Sequence, residues 1–209
     1  MNDATPVVFV VDDDVSVRRA LTRVIRSAGY RVEAFESARE FLSHAHADDC
    51  AACLLLDVEL PDLNGLELQR ELNAISAPVS VIFISGHGDI AMTVSAMRAG
   101  ALDFLVKPVG DTALLAAIEN ALRHASDARA NRIEIDSIRD RLERLTPRER
   151  EVLALVVEGH LNKQVACKLG TAEKTIKVHR ARVMDKMGAH SLAELVRIND
   201  KAGLHRPQG

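Results

Sequence analysis

The chain has 209 residues, 47% of them apolar and 27% charged, which fits a globular protein with an apolar core. No apolar run reaches the ~18 residues a membrane span needs, and the start Met1-Asn2-Asp3 has no basic stretch leading into an apolar one, so no secretory leader is expected. Three cysteines argue against a disulfide scaffold and for a reducing cytosol, and the absence of tryptophan, with 3% aromatics, argues against base stacking on single strands.

The net charge of -3 hides an asymmetry. Residues 1–124 carry a net -8, residues 125–144 are balanced at five charges of each sign, and residues 145–209 carry a net +5. An acidic front joined to a basic back predicts two domains with different partners, and the basic part is suited to a polyanion such as DNA.

In chain order, Val7–Val11 is a short β-branched run of the kind buried on both faces of a parallel sheet. Val17, Leu21, Val24, Ile25 and Ala28 then recur at helical spacing up to Gly29. Val32–Phe35 reads as a second strand, and Ser37 with Glu40 as a capping box for a short helix. Ala52–Leu56 is a third strand ending at Asp57, followed by a helix around Leu66–Leu72. Val79–Ile84 is a fourth strand, ending at Ser85, and Ile90–Ala99 is helical up to Gly100. Leu102–Val106 is a fifth strand, ending at Lys107-Pro108, and a helix starts near Asp111. Strict alternation predicts a doubly wound, flavodoxin-like five-stranded parallel sheet with helices on both faces. Cys50 and Cys53 have C-x-x-C spacing, but no second Cys or His pair completes a zinc site, and Cys53 reads as a small core residue. His44 and His46 read as solvated. His87 reads as a loop residue between two turn-forming glycines, with a catalytic base as the alternative.

In such sheets, ligands sit beyond the carboxyl ends of the strands. Four of the five strands end there in polar groups: Asp12-Asp13-Asp14, Asp57, Ser85 and Lys107. Converging carboxylates require a cation or a shared proton, and oxygen-only ligands that leave room for water suit Mg²⁺. With an ammonium and a hydroxyl beside them, the set predicts phosphoryl transfer, with Asp57 as nucleophile and the cation and Lys107 neutralising the transferred group. Asp14 reads as a helix cap.

Asp12-Asp13, Asp57, Leu60-Pro61-Asp62-x-x-Gly65, Ser85, Phe104 and Lys107-Pro108 together resemble the receiver domain of two-component response regulators, over residues 7–122. The resemblance implies that Asp57 accepts a phosphoryl group from a sensor histidine kinase. It implies that Asp13 and Asp57 bind Mg²⁺ directly, Asp12 through water and Glu59 through its backbone carbonyl. Lys107 would pair with the phosphoryl oxygens, Lys107-Pro108 would be a cis peptide, and Ser85 and Phe104 would form the switch pair. Ser85-Gly86-His87-Gly88-Asp89 resembles the FixJ-type subgroup, which more often has threonine where Ser85 stands and phenylalanine where Val109 stands.

Neither Pro nor Gly occurs from Thr112 to Thr146, which predicts a last receiver helix running on into a linker helix over 125–144. Ala121, Ala128, Ile135 and Leu142, with Ile138 and Leu145, give a heptad-like pattern interrupted by His124 and Asn131. The helix either pairs in a dimer, stands as a spacer, or packs on its own domain.

The rear part, 145–203, reads as a small helical bundle. Thr146-Pro147-Arg148-Glu149 is a capping box with Pro at the first helical position. A short helix from Asn162, a turn at Gly170-Thr171 and a longer helix over Ala172–Met187 give a helix-turn-helix. Ser191 to Glu194 is a capping box opening a last helix. The longer helix is apolar on one side and basic on the other, with Lys174, Lys177, His179, Arg180, Arg182 and Lys186, as expected of a major-groove reader. Leu145–Arg197 resembles the LuxR/NarL-type helix-turn-helix through Leu145–Leu153, Asn162-Lys163 and Thr175–Arg180. That resemblance implies base-edge contacts from Lys177, Val178 and Ala181, and mainly phosphate contacts from Lys163, Lys174, Thr175, Arg180 and Arg182. The expected activity is a switched transcription factor, with no enzymatic activity beyond its own Mg²⁺-dependent phosphotransfer and dephosphorylation. Expected partners are the kinase, double-stranded promoter DNA, RNA polymerase and, on phosphorylation, a second copy of the chain. A phosphate sink whose rear domain binds a protein, and a stand-alone phosphatase, are the competing readings.

Overall fold

The computed structural model describes residues 5–44, 50–75, 77–86 and 90–203. The His46 and His87 expectations lie outside them. The chain divides into two compact units, Met1–Ala130 and Asn131–Gly209.

The first unit holds strands β1 (Val7–Val11), β2 (Arg31–Phe35), β3 (Ala52–Asp57), β4 (Val79–Ser85) and β5 (Asp103–Val106), all parallel, in the order β2-β1-β3-β4-β5. Between them run α1 (Val15–Ser27), α2 (Ala38–His44), α3 (Gly65–Ala74) and α4 (Ile90–Arg98), and α5 (Asp111–Glu143) follows β5. Alternate strand residues feed two separate cores, as the two-residue period of a strand requires. Val7, Phe9, Val11, Leu54, Leu56 and Phe83 pack with α2, α3 and α4, while Val8, Val10, Leu55, Ile82 and Ile84 pack with α1 and α5. Cys50 belongs to the first core and Cys53 to the second, so the C-x-x-C pair is split between the two faces of the sheet. Burial pushes the Cys53 thiol well above its ordinary pKa.

Local chemistry sets the element ends. Asp14 caps α1, its carboxylate accepting from the N–H groups of Ser16 and Val17, which holds its pKa below the ordinary value. Gly29 follows α1 with φ of 86°, a conformation open to glycine. At α2 the expected capping box forms in part. Ser37 Oγ accepts from Glu40 N–H, but the Glu40 carboxylate accepts from Glu36 N–H, one residue further back. The N–H groups of Ala38 and Arg39 are taken by Asp62, from the loop after β3.

The second unit packs α6 (Pro147–Val157), α7 (Asn162–Lys168), α8 (Glu173–Met187) and α9 (Leu192–Lys201) around Val152, Val156, Val165, Ile176, Val183, Met187 and Leu195. The last turns of α5 belong to this core. Ile138 is buried in it, Leu142 packs against it, Arg141 donates to the Met187 carbonyl and Lys201 pairs with Glu134. The heptad positions at 138 and 142 therefore face this unit's own core. No helix among the described residues is long and apolar enough to cross a membrane.

Candidate functional site

In the order β2-β1-β3-β4-β5, the direction in which successive strands are added reverses between β1 and β3, and the crevice beyond their carboxyl ends is where such sheets bind ligands. Asp12 and Asp13 follow β1 and Asp57 ends β3, and their carboxylate oxygens lie within 4.8 Å of one another. Asp12 and Asp57 are buried and Asp13 is exposed. Lys107, after β5, reaches across with its Nζ 2.6 Å from Asp12 Oδ2 and 2.5 Å from Asp57 Oδ2. The remaining carboxylate oxygens of the buried pair accept backbone N–H groups, Asp57 Oδ1 from Glu59 and Asp12 Oδ1 from Asp14. Burial raises the Asp12 pKa against the opposing pull of the Lys107 ammonium. Burial likewise disfavours the charge on Lys107, but its hydrogen bonds to Asp12 and Asp57 outweigh this and hold its pKa above the ordinary value. The fourth carboxylate, Asp14, caps α1 instead of joining the cluster. An all-oxygen donor set with one exposed member fits a hard divalent cation that keeps part of its water.

Ser85 and Phe104, the expected switch pair, lie on neighbouring strands. Ser85 is fully buried at the end of β4, and its carbonyl accepts from Lys107 N–H at 2.8 Å. Phe104, half-buried on β5, is the register partner of Phe83, with ring centroids 6.4 Å apart. Lys107-Pro108 is cis, as expected. Glu59 is exposed in the loop that leads to Gly65. A Cβ on Gly65 would overlap the Asp57 carbonyl oxygen and press on Val58 Cα and the Phe83 ring. The requirement for glycine there is close packing rather than an unusual φ. Arg18 carries no sequence signal, and Asp62 is part of a motif with no role assigned to it. Arg18 donates to the backbone carbonyls of Asp12 and Asp13, and Asp62 ties the loop after Asp57 to α2. Burial works against the Asp62 charge, but the α2 N–H groups outweigh it and keep its pKa below the ordinary value.

In the helical unit, Thr146 and Glu149 form the expected capping box. Glu149 is buried and also receives Lys186 Nζ at 2.6 Å, while Lys186 donates to the Arg144 carbonyl as well. Lys186 thus ties α8 to α6 instead of standing on the open face. Lys163 on α7 and Lys174, Thr175, Lys177, Val178, Ala181 and Arg182 on α8 are exposed. Lys177 lies 3.3 Å from Glu173, and half-buried Arg180 donates to Asn162 Oδ1 at 3.1 Å, bracing α8 on α7. The hydrogen bond from Lys186, then that from Thr146 N–H, hold the Glu149 carboxyl at about 2 against an ordinary 4.5. Its contribution is complete above pH 4.5 and disappears as the pH falls through about 2. Glu149→Gln is expected to cost about 2 kcal/mol at neutral pH. The gap from wild type should close across that acid window in urea titrations followed by circular dichroism. Equal stabilities at pH 7 would contradict the assignment.

Both units match known families. Residues 8–119 match the response regulator receiver domain, and residues 143–199 match the bacterial regulatory proteins of the luxR family. This chain belongs to the two-component response regulators. The regulator is 48% identical to nodulation protein W of Bradyrhizobium diazoefficiens, over 95% of this chain and 87% of that one. It is 43% identical to the transcriptional regulatory protein FixJ of Rhizobium meliloti, over 95% of this chain and 96% of that one. Among solved structures, it resembles the response regulator StyR, with a TM-score of 0.83 and 47% identity, covering 95% of this chain and all of the other. Full-length FixJ from B. japonicum has a TM-score of 0.57 and 39% identity, covering 96% of this chain and 98% of that one. The response regulator thus joins a receiver domain to a LuxR-type DNA-binding domain, and its relatives are transcriptional regulators of two-component systems.

Proposed function

We propose that a sensor histidine kinase phosphorylates this regulator on Asp57, and that the resulting acyl phosphate controls dimerisation and sequence-specific binding to promoter DNA. The observation that carries this reading is the buried Asp57 carboxylate, set beside Asp12 and Asp13 and bridged to Asp12 by Lys107. An Asp57 oxygen attacks phosphorus as the phosphorus–nitrogen bond to the kinase imidazole breaks, and the departing imidazole takes up a proton. Asp12, Asp13 and Asp57, with the Glu59 carbonyl, would hold Mg²⁺, which neutralises charge on the transferring group. Lys107 binds a phosphoryl oxygen, and Ser85 and Phe104 relay the change towards the face formed by α4, β5 and α5, which then dimerises or releases the rear domain.

A face able to receive a second copy lies there. Ile90, Val94 and Met97 form an exposed stripe along α4, and Val106 on β5 is half exposed. Contiguous exposed apolar side chains of this kind mark an interaction surface. The reading divides the chain into a receiver at 5–124, a helical connector at 125–144 and the DNA-binding domain at 145–203. In the last, Lys177, Val178 and Ala181 read base edges, while Lys163, Lys174, Thr175, Arg180 and Arg182 hold phosphates. RNA polymerase is the further partner that a promoter-bound regulator engages.

The test combines labelling with duplex binding. The full chain is incubated with a small phosphodonor, with Mg²⁺ or with a chelator, and borohydride reduction followed by peptide mass spectrometry locates the acyl phosphate. Label at Asp57 that needs Mg²⁺ is the expected result, and label elsewhere refutes it. Anisotropy of labelled genomic duplexes should show affinity falling steeply with salt and rising on phosphorylation. Affinity indifferent to both would remove the regulatory half of the proposal.

A further inference from the structure

Arg18 borders the acidic cluster, and the phosphoryl-transfer reading gives it no role. It lies in the first turn of α1, and its side chain is 16% exposed. Its Nη1 donates to the carbonyl of Asp12 at 2.7 Å and to that of Asp13 at 2.8 Å, while Nη2 lies 3.9 Å from the exposed carboxylate of Glu36. One nitrogen therefore clasps two successive peptide carbonyls of the loop that carries two of the three clustered carboxylates. The rest of that loop is also fixed. Asp12 N–H donates to the Phe35 carbonyl on β2, Asp14 N–H donates to the Asp12 carboxylate, and the Asp14 carboxylate caps α1.

We infer that Arg18 is a positioning residue: by holding the Asp12 and Asp13 carbonyls, it fixes the backbone from which both side chains enter the cation site. The inference rests on the phosphoacceptor reading above and adds a residue that touches neither the cation nor the phosphoryl group. Arginine suits this place because it stays charged and offers several N–H donors in a fixed plane, so two acceptors are served without loss of direction.

The alternative role is purely coulombic, and it predicts the opposite sign. A cation beside a cation site repels the incoming ion, so if charge alone mattered, removing Arg18 would tighten Mg²⁺ binding. If Arg18 positions the loop, removing it weakens binding. Groups that orient metal ligands from outside the coordination sphere typically change affinity by about 10–100-fold when lost.

The experiment is calorimetric titration of Mg²⁺ into the full-length wild type, Arg18→Ala, Arg18→Lys and Glu36→Ala, with thermal midpoints recorded in the absence of Mg²⁺. The expected result is a dissociation constant raised about tenfold in Arg18→Ala and partly recovered in Arg18→Lys. Glu36→Ala should match wild type, because the exposed carboxylate does not hold the loop. In phosphodonor labelling, Arg18→Ala should need more Mg²⁺ for half-maximal rate yet approach the wild-type rate at saturation. Mg²⁺ affinity unchanged or tightened in Arg18→Ala overturns the inference and leaves the phosphoacceptor reading intact, whereas a wild type that binds no Mg²⁺ overturns both. If alanine prevents folding, Arg18→Gln takes its place under the same criterion.

Discussion

Asp57→Asn is expected to reduce Mg²⁺-dependent phosphorylation to background, a loss of more than about a hundredfold, as for removal of a nucleophile from a site that otherwise survives. The amide can still accept the Glu59 N–H that Asp57 Oδ1 accepts, so the loop after β3 keeps that tether. What disappears is the anionic oxygen that faces Lys107. Removing one of three clustered carboxylates relieves repulsion with Asp12 but also removes one of the two partners of Lys107, so the thermal midpoint should stay close to that of wild type. Loss of labelling with a preserved midpoint identifies a lost nucleophile rather than a lost fold. Label surviving in this variant would sink the assignment.

Gly65→Ala is expected to damage fold and chemistry together. The added methyl would overlap the Asp57 carbonyl oxygen and crowd Val58 Cα and the Phe83 ring, two of the three being backbone atoms that cannot rotate away. Relief requires the start of α3 or the end of β3 to shift, and overpacking of this kind costs about 1–3 kcal/mol. The same shift moves the carboxylate that must meet phosphorus in line, and misplacement by about 1 Å can cost 10²-fold in rate. A lowered thermal midpoint and a labelling rate down at least tenfold at saturating Mg²⁺ would bear this out. A variant equal to wild type in both would show that the loop has more room than its packing implies.

The parts of this protein that could be read before folding are those whose signals are local. The continuously apolar runs mark β1, β3 and β4 as strands buried on both faces, and the acids and lysine that end the strands must meet because parallel strands present their carboxyl ends along one edge. The box at Thr146 and Glu149 spans three residues and forms as written. What stayed hidden depends on neighbours distant in the chain. Asp62 caps a helix 23 and 24 residues earlier in sequence, a pairing that spacing cannot announce. Lys186 looks like one more positive charge on a recognition helix until Glu149, 37 residues away, claims it. Ile138 belongs to an interrupted heptad, and only packing shows that it fills the core of the helical unit. Arg18 was hidden for another reason: it bonds main-chain carbonyls, which every residue has, so no side-chain pattern points to it.

The separation of Cys50 and Cys53 by the thickness of the sheet leaves one accessible thiol, that of Cys167 on α7. Oxidants cannot join the buried pair without dismantling the β-layer, burial shields both sulfurs from alkylation, and at Cys53 it also keeps the thiol protonated. A maleimide dye would therefore attach at one place in the unaltered chain, on the helix packed beside α8, giving a native fluorescent handle.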